Sequence, residues 1–152
     1  SKGYPFEVHN ATTEDRRLLT LFRMPRPGCP AVLMQHGVLD SAWAWVSNEN
    51  FKALGFQLHD AGYDVWLGNN RGNSFSEHWA DGSNAHKSHS FWDFTFDDMA
   101  RFDVPAMIGA VLKTTDQQKL AYVGHSQGTL QFFIAGSSPE LQKAVADRVS
   151  VF

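Results

Sequence analysis

Apolar and polar residues alternate along the chain in short blocks with the periods of strand and helix. Phe6–Thr12 and Leu18–Met24 read as two strands joined by Thr13-Glu14-Asp15-Arg16, a hairpin connection. Pro25-Arg26-Pro27-Gly28-Cys29-Pro30 is a loop, since its prolines forbid helix and supply no backbone donors. Ala31–Gln35 is the short apolar run of a buried parallel strand, and it breaks abruptly into the turn His36-Gly37-Val38-Leu39-Asp40. Asn50–Ala61 carries Phe51, Leu54 and Leu58 at helical spacing and stops at Gly62.

Tyr63–Leu67 is the next strand, followed by the polar loop Gly68–Ser74. The spacing of Met99, Phe102, Met107 and Val111 predicts a helix over Phe96–Leu112, kinked or restarted at Pro105, with Asp97 and Asp98 in its first turn. Lys119–Val123 is a further buried strand that runs into Gly124-His125-Ser126-Gln127-Gly128. Thr129–Ala135 reads as a helix packed tightly behind that turn, Pro139–Asp147 as another helix, and Val149–Phe152 as the start of a strand. Strands alternating with helices, without internal repeats, imply an α/β fold with a mostly parallel sheet.

Composition narrows this picture. The chain has 152 residues, 43% apolar and 19% charged, enough for a hydrophobic core and the length of one domain. Thirteen basic against sixteen acidic residues, a net charge of −3, argue against a nucleic acid partner. No apolar run reaches the ~20 residues a transmembrane helix needs. The single cysteine, Cys29, excludes an internal disulfide and a multi-cysteine zinc site. Ser1 is not a methionine and no basic-then-apolar leader follows it, so the chain reads as processed or excised. Asn10-Ala11-Thr12 is a glycosylation sequon, relevant on a secretory route.

The candidate chemistry lies at two turns. Gly124-His125-Ser126-Gln127-Gly128 is a G-x-S-x-G between a strand and a helix, the setting of a nucleophile elbow. There a strained turn lifts the serine hydroxyl above the sheet, and flanking glycines let strand and helix approach. Ser126 is the candidate nucleophile. An ester hydrolase also needs backbone N–H donors for its oxyanion: Gln127, just after the nucleophile, and Val38 in the His36-Gly37 turn, with Leu39 as the alternative.

Of the seven histidines, His125 reads as a packed or hydrogen-bonded neighbour of the elbow and His36 as a brace for the oxyanion loop. His9, His59 and His78 read as surface or supporting residues. His86 and His89 lack a third ligand at metal spacing, so neither a metal nor another cofactor is expected. Among the aromatics between Trp43 and Phe96, packing explains most. Trp43 and Phe75 follow strand ends, where such folds place their sites, and with Leu39 they are candidates for an acyl pocket.

These residues resemble the acid lipase family of α/β-hydrolases, the group of gastric lipase, lysosomal acid lipase and sterol esterases. The likeness runs through Gly3-Tyr4-Pro5, Thr13-Glu14-Asp15, Gln35–Leu39, Asp60–Asn73, Phe96–Ala100, Asp103–Ala106 and Tyr122–Gly128. It implies an α/β-hydrolase fold, a Ser126 nucleophile, a Val38 and Gln127 oxyanion hole, and long-chain acyl esters of glycerol or sterol as substrates. It also implies a secreted or endo-lysosomal setting, with contact at a lipid interface. The family places Gly after Thr-Glu-Asp, where this chain has Arg16, so a different hairpin turn is expected. It also places the triad acid and histidine well beyond the nucleophile, and here no histidine follows His125. Residues 1–152 are therefore read as the N-terminal part of one α/β-hydrolase domain, ending before the cap and the triad Asp and His. A companion polypeptide carrying the remainder is expected. The rival reading is a non-catalytic binding or scaffold fragment of the same fold; a thioesterase or acyltransferase would use the same elbow.

Overall fold

The computed structural model describes residues 3–49 and 51–152. In chain order its elements are β1 (Glu7–Thr12), β2 (Arg17–Met24), β3 (Ala31–Gln35), a 3-10 turn Ala42–Trp45, α1 (Leu54–Asp60), β4 (Asp64–Gly68), β5 (His78–Trp79), and the short helices α2 (His89–Trp92) and α3 (Phe96–Asp98). A π-helical turn Met99–Asp103 leads into α4 (Val104–Thr115), followed by β6 (Leu120–Gly124), α5 (Gln127–Ser137), a 3-10 turn Ala146–Arg148 and β7 (Val149–Val151). The sheet order is β1-β2-β4-β3-β6-β7, with β5 paired to β2. The pairings β4-β3, β3-β6 and β6-β7 are parallel, while β1, β2 and β5 join antiparallel.

Both faces of the central strands β3 and β4 are covered, and both are buried at every position. Their side chains alternate between two cores. Leu33 and Trp66 pack with Met107, Ile108 and Val111 of α4, while Val32, Met34, Val65 and Leu67 pack with Phe56 of α1.

Two local expectations need correction. The helix read over Asn50–Ala61 begins only at Leu54; Asn50 lies outside the described residues, and Phe51 is exposed. Its buried face is Gly55, Phe56 and His59, because a Cβ at Gly55 would stand 2.9 Å from the Trp45 carbonyl oxygen. The close backbone approach at Gly55 together with the buried Phe56, not Phe51 and Leu54, orients α1. Pro139–Asp147 forms turns and a 3-10 segment, with Val145 N–H bonded to Leu141 O and Asp147 N–H to Gln142 O. Val145 is fully buried there. Helix α5 packs behind the elbow as expected, burying Gly128, Gln131 and Ala135 and leaving Leu130 and Phe133 exposed. In the first hairpin Arg16 N–H donates to Thr13 O at 3.0 Å. Arg16 takes φ +66°, the left-handed conformation a glycine adopts freely.

At Pro105 the helix restarts. Proline lacks an N–H and its ring crowds the preceding turn, and the five-residue π-helical turn Met99–Asp103 absorbs this just ahead of α4. Thr95 and Asp98 close a capping box at the head of α3, so Asp98 acts as a helix-start acid.

Candidate active site

Strand β6 ends at Gly124, helix α5 opens at Gln127, and Ser126 between them has φ +50° and ψ −111°. For a residue with a Cβ this conformation is strained, and it leaves Ser126 exposed at the head of the helix. Steric demand explains the flanking glycines. A Cβ on Gly124 would stand 2.7 Å from Thr129 N, and one on Gly128 would collide with the Gln35 carbonyl. Hydrogen bonds fix the turn to its surroundings: His125 N–H donates to Gln35 O (3.0 Å), and the Tyr122 hydroxyl to Gly128 O (3.1 Å).

The turn after β3 comes up beside this serine. A Cβ on Gly37 would lie 3.4 Å from Ser126 Cβ and 3.0 Å from His125 Nδ1. Val38 is exposed, and Gln127, as the first residue of α5, has no intrahelical acceptor for its N–H. Both line one open cavity of about 540 Å³ together with Gly37 and Leu39. His36 lies buried beneath the loop, its Nδ1 2.7 Å from Gly37 O. Desolvation lowers its pKa below the ordinary imidazole value, outweighing the Gly37 carbonyl and Asp40.

A model of the alpha/beta hydrolase fold matches residues 30–148. The chain belongs to the α/β-hydrolase family. A second model, of a partial α/β-hydrolase lipase region, matches residues 1–49. Gastric triacylglycerol lipase of Bos taurus is 46% identical over 159 residues, covering 99% of this chain and 38% of the relative. Lipase member M of Mus musculus is 47% identical, covering 92% of this chain and 35% of its own. A protein of Crotalus adamanteus named for lysosomal acid lipase/cholesteryl ester hydrolase is 44% identical, covering 95% and 38%. The expected likeness to the acid lipases is thereby borne out, and the chain spans well under half the length of these relatives. An esterase of Pyrococcus furiosus superposes with a TM-score of 0.67 at 20% identity over 91% of this chain and 49% of that one, a likeness of fold.

This α/β-hydrolase surrounds its cavity with residues that sequence reasoning treated as turn or packing. Asn70, Arg71 and Asn73 line it from the loop after β4, with Trp92 and Phe94 packed against Gly72 of that loop and Met99 near Gln127. The Met99 sulfur accepts from Gln127 Nε2 (2.9 Å), tying the elbow to the π-helical turn. The loop's density of amide and guanidinium groups, more than a turn requires, was the signal in the sequence. Trp92 and Phe94 stand in the sequence only among aromatics that packing explains, because tertiary packing alone brings them beside Gly72 in the loop after β4.

Arg71 is the anchor of that loop. Its backbone N–H and Nε donate to Asp103, and its two terminal nitrogens to Asp15. The side chains of Arg71 and Asp103 are 1% and 0% exposed. Burial pushes Asp103 up to about 6 against the pull of the guanidinium.

The candidate acyl-pocket residues separate in this α/β-hydrolase. Leu39, at φ +55° and fully exposed, stands over the cavity beside Ser126. Trp43 and Phe75 instead line a second, apolar cavity of about 340 Å³ with Tyr4, Phe22, Phe56 and Leu67. The two cavities share no lining residue, yet the chain passes from one to the other between Ser41 and Ala42 and again between Ser74 and Phe75.

Asn10 is exposed on the outer strand β1, whereas His59 is buried against Tyr4, not a surface residue. His125 is exposed beside Gly37. His86 pairs with Glu77 at 3.2 Å. Among the described residues no three His, Cys, Asp or Glu side chains gather as a metal ion would require, and no helix is long and apolar enough to cross a membrane.

Proposed function

We propose that Ser126 is the nucleophile of a hydrolase acting on lipid carboxylic esters, with the N–H groups of Val38 and Gln127 as its oxyanion hole. The observation that carries this reading is the placement of a strained, exposed Ser126 at the head of α5 with the Gly37-Val38 turn beside it. Ser126 Oγ attacks the ester carbonyl carbon and passes its proton to a histidine, which an acid residue orients; both come from outside residues 1–152. The carbonyl oxygen gains negative charge within reach of the two backbone donors, and the alcohol leaves with the histidine's proton. Water then takes the same route in and releases the fatty acid, restoring the serine.

The lipase relatives support a long-chain acyl ester of glycerol or sterol as substrate, and with it a role in lipid degradation in secreted or lysosomal surroundings. The apolar cavity of Trp43 and Phe75 suits an acyl chain, and the exposed Val38, Leu39 and Trp43 suit a lipid interface. A companion polypeptide would carry the base and acid, and Asn10 is free to accept a glycan. Incubation of the native protein, with every chain it associates with, in a fluorophosphonate is the direct test. Labelling at Ser126, abolished in Ser126→Ala, is expected; failure of the native assembly to label overturns the hydrolase reading.

A further inference from the structure

The polar loop after β4 offers His36 a set of donors that fixes which ring nitrogen holds the proton. Phe75 N–H donates to Asn73 Oδ1 (3.0 Å), so the other end of that amide is its NH2 group. Asn73 Nδ2 therefore donates to Asn69 Oδ1 (2.9 Å) and faces His36 Nε2 at 3.2 Å. Asn70 N–H donates to the same Nε2 at 3.1 Å. Two donors converge on one nitrogen, which must hold a lone pair. The proton of the neutral ring then sits on Nδ1 and is donated to Gly37 O at 2.7 Å.

The consequence reaches Ser126 through one peptide plane. Gly37 C=O and Val38 N–H belong to the same rigid unit and point in opposite directions, so a bond that holds the oxygen also aims the N–H. The loop that supplies the donors is itself fixed: Asn69 takes Ala42 N–H at 3.0 Å and gives to Thr20 O at 2.9 Å, and Arg71 is held by Asp103 and Asp15.

We propose that Asn73 is a positioning residue for ester hydrolysis: with the Asn70 N–H it keeps His36 in the Nδ1–H tautomer, and His36 thereby orients the Gly37–Val38 peptide so that Val38 N–H faces the developing oxyanion. The role in hydrolysis rests on the function proposed above; the tautomer does not. In Asn73→Asp the shape and the acceptor for Phe75 N–H are kept, but a carboxylate oxygen replaces the donor opposite Nε2. The proton is drawn to Nε2, and the bond to Gly37 O is released or shared.

The experiment uses protein labelled with 15N-histidine and produced with every chain it associates with. Long-range proton–nitrogen correlation of His36 is expected to show Nδ1 protonated and Nε2 bare in the wild type, and a protonated Nε2 in Asn73→Asp. In parallel, fluorophosphonate labelling of Ser126 is expected to slow about 10-fold or more in the variant, with the inactivator's reversible affinity little changed, since a misplaced oxyanion donor costs the reaction and not binding. A merely structural Asn73 would not move the tautomer. A wild-type His36 protonated at Nε2, or a variant with unaltered tautomer and labelling rate, overturns the proposal. A wild type that does not label at all removes the hydrolase reading, and the nitrogen spectra then decide the role of Asn73 alone.

Discussion

The Arg71 guanidinium meets the Asp103 carboxylate at 2.7 Å with both side chains closed off from water. Residues 32 positions apart are joined by this contact, which ties the loop after β4 to the π-helical turn ahead of α4. Removing one partner strands a buried charge, which costs about 3–5 kcal/mol. Asp103→Ala is therefore expected to lower the urea midpoint by that equivalent. A loss under 1 kcal/mol would mean that Asp15 alone satisfies Arg71.

Gly128 tests the steric account of the elbow. Any Cβ there collides with the backbone of Gln35 and would stand 2.9 Å from His36 O, so the end of β3 must yield. Gly128→Ala is expected to destabilise the fold by about 1–3 kcal/mol and to displace the Val38 amide resonance. An unperturbed Val38 with unchanged stability would show that the elbow and the loop after β3 are not in contact.

Arg16 gives a change in the other direction. Its φ of +66° costs a side-chain-bearing residue about 1–2 kcal/mol, partly offset by the greater freedom glycine has when unfolded. Arg16→Gly is expected to stabilise the protein by about 0.5–1 kcal/mol, while Arg16→Ala gains nothing. Equal effects of the two would place the strain elsewhere.

The pH dependence of His36 has a definite sign. Its folded pKa lies below the unfolded value near 6.5, because burial disfavours the charged ring. As pH falls through that unfolded value, the unfolded chain takes up a proton that the folded chain refuses. Stability attributable to His36 is thus present above pH 6.5 and is lost as pH falls toward the folded pKa, at most about 1.4 kcal/mol per pH unit. His36→Gln cannot titrate there, so the wild type's stability advantage over it should shrink between pH 7 and 5. Denaturant midpoints at the two values check this; an advantage that is constant or grows would refute it.

Several features were legible before any coordinates because they depend on local chemistry. The strand over Ala31–Gln35 needs only an unbroken apolar run between turn residues. The elbow at Ser126 needs glycines at fixed spacing between strand and helix. Arg16 shows the limit of such reading: the pairing of β1 with β2 closes a turn in which it stands at φ +66°, a conformation its residue type does not announce. Likewise α1 was assigned the wrong face, because the Gly55 contact with Trp45 is invisible to periodicity.

By itself, then, the sequence determined the alternation of strands and helices, the position of Ser126 in its turn, and the family these motifs announce. Each depends on interactions within a few residues, which sterics and hydrogen bonding dictate locally. Only the tertiary structure decided that Asn70 and Asn73 donate to His36, that Trp43 and Phe75 share a cavity apart from Leu39, and that Asp15 and Asp103 meet on Arg71. Those contacts join residues 32 to 56 positions apart, and no local rule sets them. They follow from the sheet order β2-β4-β3-β6, which brings the turns at these strand ends side by side.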